Sequence, residues 1–515
     1  MRVFVFGIGG TGARVITQLV MHLAAGVRPV GEDGKVLKGD FSIVPILIDP
    51  HSQCEALVNL SELLNDYRTI HKRLYGEIED PGKGFFSVKI QTMHDIASND
   101  VSHDDFTFRL PNVSNNKFKD YIGCSDMSSS NRNFMEFLFS KNERETDMAE
   151  GFYGSPNIGC VALNSFVDSP DFAAFKKIVN GKDKAFFIGS IFGGTGASGL
   201  PLFISNIRYL ITSNQVDSQN CGKIPIGALI VMPYFKISDD EQSPINDSDF
   251  MIKTRSALSY YETNMNKRIN NVYYIADQAD KSPIPFENDP GNKDNQKGNK
   301  AHLVEFMGAA SLLDFIKSNN VEMKNDGTDE VLTTKFLAYG IDSDDDNIEK
   351  ISFREFGTGM KEALVLPYMK FYITKYWMKH YLPDDGGKPY AKDNPKIDPS
   401  IANSPELNRI FRKFDMLMEQ MNSHGSAAHN LKLFNDILGD NFIGAFCNIE
   451  KNKSGLLKFG RKSLDRSSIL DCLNKAGDEL KNSGITGEQK WFMIANDEAL
   501  DKLIKSNLNL SNLGI

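Results

Sequence analysis

The chain reads as α/β: a doubly wound, mostly parallel sheet over residues 1–320, then a mainly helical α+β region over 321–515. Three observations predict this. Apolar runs of strand length recur at 3–6, 41–49, 185–191, 224–232 and 272–276 without polar alternation, as in strands buried on both faces. Stretches with helical apolar spacing lie between them, and such alternation builds a parallel sheet. Two of the runs, 3–6 and 185–191, pass directly into glycine-rich turns that open helices.

Residues 3–6 form the first strand, and a helix follows over about 13–25. Gly7, Gly9, Gly10 and Gly12 cut the apolar run between them, which favours a strand and turn over a leader peptide. The second strand, 41–49, ends on Asp49. A carboxylate there meets a ribose hydroxyl or, through water, a metal; the alternative is a cap for a helix starting near Ser52. Residues 53–75 are helical by pattern. The stretch of about 76–150 reads as an insertion, polar and turn-rich to 130, with helical spacing over 131–149.

A third glycine-bearing turn spans 151–159, where Ser155 suits a helix cap and Pro156 a first helical turn. Short helices near 162–166 and 171–179 lead to the strand 185–191. After the strands at 224–232 and 272–276 come a polar loop, 279–300, and a long helix, 301–318. Beyond 320, strands are expected at 332–341 and 350–356, and helices at 360–381, 405–422, 427–438, 468–481 and 497–506. Short strands are expected near 442–449 and 456–459, and the polar stretch 383–404 marks a boundary between subdomains.

Composition narrows the function. Apolar content is 41% and charged content 24%, ordinary for a globular protein. The net charge of −9 gives no sign of a nucleic-acid partner. No apolar run reaches the ~18 residues of a membrane span. Six cysteines without a CxxC spacing read as reduced thiols of a cytoplasmic protein.

The turn after 185–191 is Gly193-Gly194-Thr195-Gly196-Ala197-Ser198-Gly199. A strand, a glycine turn and a helix N-terminus make an anion site: N–H groups converge, the helix dipole favours negative charge, and glycines admit a phosphate closely. Thr195 and Ser198 add hydroxyls. No Lys follows the last glycine, so the turn is not a P-loop.

Taken together, these turns resemble those of the tubulin/FtsZ superfamily. Residues 193–199 are similar to its GGGTG[ST]G signature, with Phe192 where a further glycine stands and Ala197 at the penultimate position. GIGGTGARVI resembles the first phosphate loop, with Arg14 where FtsZ usually has Asn. LIDPHSQ resembles the second loop, and GSPNIGCVA the third. The likeness covers about 1–320, and the divergent bacterial tubulin-like group is the nearest in pattern.

The resemblance implies a GTP or GDP site with Mg²⁺ at the carboxyl ends of the strands. Gly9, Gly10, Thr11 and Gly12 would touch the α/β-phosphates, and Asp49 would lie near Mg²⁺ or the ribose. Ser155 and Asn157 would lie near the γ-phosphate, and Gly193, Gly194, Thr195, Gly196, Ala197 and Ser198 would wrap the phosphates from the other side. Asn299, with Gln296 second, is the candidate for the guanine edge, or else a helix cap. Self-association into oligomers or filaments is also implied.

FtsZ hydrolyses GTP through an acidic loop after its central helix, and that pattern is missing after Ser318. Asp326 and Asp329 are the nearest acidic candidates, against a solvated turn. A GTPase and a non-hydrolysing, nucleotide-bound scaffold or assembly switch therefore both stand. A Rossmann NAD-dependent oxidoreductase is the third reading, on Gly7, Gly9, Gly12 and Asp49, but it leaves the turn at 193–199 without a role.

Overall fold

Seven strands lie side by side in one parallel sheet, and its order follows from the chain's alternation of strand and helix. The computed structural model describes residues 1–31, 41–51, 54–76, 81–82, 84–111, 113, 116–148, 152, 155–210, 221–234, 247–277, 300–317, 323–325, 330–341, 350–381, 404–424, 430–451, 463–480 and 499–513.

The strands are β1 (Arg2–Ile8), β2 (Ser42–Ile48), β3 (Lys89–Ile90), β4 (Lys184–Ser190), β5 (Ile226–Val231), β6 (Asn271–Ile275), the hairpin β7 (Met323–Asn325) and β8 (Glu330–Leu332), and β9 (Lys335–Ala338). The large sheet runs β3-β2-β1-β4-β5-β6-β9. Strand order reverses between β1 and β4, so the crevice above their carboxyl ends is the place where such sheets bind ligands.

Side chains alternate across each strand. Phe4 and Phe6 of β1 point to one face and meet Phe175 at 5.1 and 5.3 Å. On β4, Phe187 stacks on Phe6 at 4.5 Å, while Phe186 points to the other face and meets Phe315 at 5.3 Å. Both faces are covered, which is why the strand runs are continuously apolar. Helices α1 (Gly9–Ala24) and α2 (Glu55–Tyr75) follow β1 and β2. Four short helices, α3 (Met93–Ile96), α4 (Phe118–Tyr121), α5 (Ser129–Leu138) and α6 (Lys141–Arg144), precede α7 (Pro156–Leu163), α8 (Pro170–Ile178) and α9 (Gly194–Tyr209).

Several expectations need correction. The stretch 76–150 is no mere insertion: it supplies β3, which pairs with β2, and it buries Phe85, Phe86, Phe106, Phe108 and Phe118 in the core. Residues 106–108 also pair with the end of β2, Leu47 N–H donating to Phe106 O at 2.7 Å. The helix expected over 131–149 is broken, because Ser140 caps the start of α6. Residue 320 does not bound the sheet, since β9 pairs with β6. Residues 430–431 are a strand and not part of a helix: Asn430 and Leu431 pair with Lys350 and Ile351, and a buried Leu431 and Leu433 flank Lys432 in strand alternation. Residues 443–445 form a single 3-10 turn where a strand was expected.

The C-terminal region is tied to the sheet by polar contacts as well as by a continuous core. His22 of α1 bonds Tyr368 of the helix Thr358–His380 at 2.7 Å. Lys184, at the start of β4, donates to Ile316 O at 2.8 Å and so caps the carboxyl end of the helix Leu303–Lys317. Burial pushes its ammonium down to about 8. Among the described residues, no helix is long and apolar enough to cross a membrane.

Candidate anion-binding site

The glycine turns sit inside helices, not before them. α1 begins at Gly9 and α9 at Gly194, so the residues expected in loops form first helical turns. Packing explains this. A Cβ on Gly12 would lie 2.6 Å from the Gly7 carbonyl carbon and 2.9 Å from Ile188 O, so only glycine lets α1 start this close to β1 and β4. Gly12 is therefore a packing residue.

The three walls of the site meet at Gly9. Its φ is +73°, a conformation that favours glycine. Its Cβ position is 3.4 Å from the Thr195 Cβ, 3.7 Å from Gly196 N and 3.9 Å from Asp49 Oδ2. The starts of α1 and α9 and the end of β2 thus converge within one van der Waals shell. Next to it, a Cβ on Gly10 would meet nothing within 4 Å. α7 closes in from the side: a Cβ on Gly159 would lie 3.0 Å from Gly194 O and would overlap the Ser198 hydroxyl.

The helix starts around the crevice carry no side-chain caps, as is also true of α4 and of the helix Thr358–His380 elsewhere. Thr92, Ser128, Ser140, Ser169 and Ser404 each cap a helix with a side-chain oxygen. At α1, α2, α7 and α9 the cap positions are Ile8, Cys54, Ser155 and Gly193, and no side chain caps any of them. α1 and α9 also carry no acidic residue in their first turns. Two uncompensated positive helix ends therefore point into one crevice, the arrangement that holds an anion.

Asp49 is a carboxylate beside Gly9, its Oδ2 3.9 Å from the Gly9 Cβ position. Its Oδ1 accepts from His51 N at 2.9 Å, so it shapes its own turn and does not cap α2. Burial pushes its carboxyl up to about 7, and the His51 bond only partly opposes this. A carboxylate beside an anion site is repulsive when ionised unless a cation lies between them. Among the described residues there is no cluster of three or more His, Cys, Asp or Glu that could hold a metal. A cation would rest on Asp49 and on the anion itself, as Mg²⁺ does with phosphates.

The other expected residues divide. Thr11 and Thr195 are half-buried at the crevice. Ser198 is buried and donates to Gly194 O at 2.6 Å, so its hydroxyl is used within α9. Ala197 is buried and its carbonyl accepts from Tyr261 at 3.1 Å. Ser155 sits at the start of α7, with Pro156 in the first turn as expected. Asn157 is exposed and donates to Glu143 Oε1 of α6 at 2.7 Å. Phe192 is buried with its ring 6.4 Å from that of Tyr234. Gln296, Asn299, Asp326 and Asp329 lie outside the described residues.

Sequence reading missed a polar junction beside the crevice. Arg14 Nε donates to Glu305 Oε1 at 2.6 Å, and its Nη2 to Lys300 O at 2.6 Å. Tyr234 donates to the same Glu305 oxygen at 3.0 Å. His302 and Glu305 cap their helix reciprocally: His302 Nδ1 accepts from Val304 N at 3.1 Å, and Glu305 Oε2 from His302 N at 3.2 Å. Their His-x-x-Glu spacing, a pattern that also suits metal ligands, is spent on a cap here. No family model matches the chain, and none of the curated proteins matches it.

Proposed function

We propose that this chain is a tubulin/FtsZ-like protein that binds a guanine nucleotide, GTP or GDP, with Mg²⁺, and couples it to self-association into oligomers or filaments in the cytoplasm. One observation carries the reading: the uncapped starts of α1 and α9 meet at Gly9, with Asp49 in the same shell. Phosphates would accept from the free N–H groups of Gly10, Thr11, Gly194 and Thr195, and Asp49 would hold Mg²⁺ directly or through water. A Rossmann NAD enzyme shares the strand order but uses one glycine turn; here two turns form one wall-to-wall crevice.

Binding comes first in this reading, and hydrolysis is an extension of it. The alternative is a non-hydrolysing scaffold that keeps its nucleotide as an assembly switch. The decisive experiment is to identify the nucleotide that co-purifies and to measure binding of GTP, ATP and NAD with and without Mg²⁺. Mg²⁺-dependent GTP binding supports the proposal, and NAD in its place refutes it. Phosphate release that rises with protein concentration separates the GTPase from the scaffold.

A further inference from the structure

Helix α5 carries its apolar stripe on the wrong side. Ser128 caps its start, accepting from Asn131 N, so the helix is well formed. A surface helix ordinarily lays its apolar residues on the core and turns its polar ones to water. In α5 the buried residue is Met135, whose Sδ accepts from Cys124 Sγ at 3.8 Å, and Arg132 ties the helix down by donating to Ser125 O at 3.2 Å. The other side carries Phe134, Phe137 and Leu138, three and four positions apart and so neighbours on the helix surface. They are 64%, 85% and 50% exposed. Phe139, just past the helix, behaves otherwise: it turns inward and packs its ring on Phe118 at 4.8 Å.

Charge narrows what this face can meet. Ser130, Asn131 and Asn133 border the stripe at helical spacing from Phe134 and Phe137, so the face itself is uncharged. Glu136 lies off it and is paired with Arg144 at 2.9 Å. Residues 116–148 together hold five cations and six anions, although the chain as a whole carries −9. A helix that lies on anionic lipid needs an excess of Lys and Arg beside its apolar stripe, and α5 has one Arg and one Glu. An aromatic centre with an uncharged rim is the make-up of a protein–protein interface. Two copies of an acidic chain repel each other except where charge is balanced, and this face is such a place. Its area is also adequate. The two rings expose about 300 Å², and one partner of a standard homodimer interface contributes about 500 Å² of apolar surface, so the rings supply more than half before Leu138 is added.

We propose that the Phe134–Phe137–Leu138 face of α5 is where two copies of this chain meet, packed face to face about a two-fold axis. A two-fold contact uses the same patch on both copies, and an uncharged face meets its own copy without like-charge repulsion. The inference rests on the self-association in the reading above and names its surface. α5 also adjoins the crevice through α6. Glu143 of α6 accepts from Asn157 Nδ2 at 2.7 Å, and Asn157 stands in the first turn of α7, whose Gly159 packs on Gly194. Pairing through α5 and filling of the crevice therefore bear on the same short helix.

The test is sedimentation of the full chain over a range of protein concentrations, with and without GTP plus Mg²⁺. The double variant Phe134→Ser, Phe137→Ser is expected to weaken self-association at least a hundredfold, as loss of a buried aromatic centre does. Leu438→Ser, which alters a side chain 82% exposed elsewhere, is expected to change nothing. Thermal midpoints report that each variant folds, and hydrogen exchange over 129–138 is expected to slow as the unmodified protein is concentrated. Unchanged self-association in the folded double variant overturns the α5 face while leaving self-association intact. Unmodified protein that stays monomeric at every concentration, with and without GTP, overturns both. Binding to phosphatidylcholine vesicles that the double variant loses, without any self-association, overturns the proposal in favour of a membrane. Nucleotide binding, titrated in dilute protein, is read separately from all of these.

Discussion

Replacing Asp49 by Asn tests the electrostatic logic of the crevice most directly. The carboxyl is held at about 7 against 3.8 for an ordinary aspartate, a shift of about three units, mainly through burial. At about 1.4 kcal/mol per unit, the ceiling on the associated stability is about 4 kcal/mol. Asp49 keeps part of its surface in water, so about 2 kcal/mol is the expected size. The sign follows from linkage: the unfolded carboxyl ionises near pH 4 and the folded one near 7, so the folded state binds more protons in between and loses stability as pH rises through that window. Asn keeps the acceptor for His51 N and removes the charge. In metal-free urea titrations, Asp49→Asn should match the unmodified protein near pH 4 and exceed it by about 2 kcal/mol near pH 8. The same variant should lose the Mg²⁺ enhancement of GTP binding. A stability difference that is constant with pH, or a variant less stable near pH 8, refutes the argument.

Further outcomes follow from neighbouring positions. Gly10→Leu projects into open space, so the fold should survive while GTP affinity falls at least tenfold by titration. Gly12→Ala drives a methyl into the Gly7 backbone and should cost about 3 kcal/mol or prevent folding, read by urea denaturation. His22 is fully buried, and burial lowers its imidazole to about 4. Its neutral form, bonded to Phe306 O and Tyr368, supports a stability that is complete above about 6.5 and lost as pH falls toward 4, up to about 3 kcal/mol. His22→Gln should flatten that acid limb. Lys184→Met removes the cation that caps Leu303–Lys317 and should lower stability by about 1 kcal/mol.

The fold was legible because its signals are local. Strands buried on both faces leave unbroken apolar runs, and glycines required by tight packing stand next to them in sequence. The helix starts were less legible: Gly9–Gly12 and Gly194–Gly199 read as loops, but freedom from Cβ atoms lets the helices begin on the strands themselves. The stretch 76–150 was misread for another reason. Its apolar residues come singly or in pairs, such as Phe85-Phe86, and are buried through long-range contacts with α2 and the C-terminal helix. No periodicity records such contacts. The same holds at the site, where Arg14 and Glu305 are 291 positions apart.

The capping pattern is where sequence and site come closest. Serine caps are visible at Ser128, Ser140, Ser169 and Ser404, while the helix Thr358–His380 starts without one. At α1 and α9 the chain places Ile8 and Gly193 instead, so their first N–H groups gain nothing from their own side chains. Each missing cap forgoes about 1 kcal/mol. Two such omissions at one meeting point, with a partly buried Asp49 against Gly9, form a site that is least satisfied when alone. Phosphates would supply acceptors for both helix ends, and a divalent cation would supply the charge that Asp49 lacks, so a ligand combining the two relieves every imbalance at once. An anion offered without a metal should therefore bind less tightly as pH rises through 7 and Asp49 ionises, and this decline should be absent in Asp49→Asn. Tripolyphosphate titrations at several pH values measure it, and an equal decline in both proteins would place its origin outside Asp49.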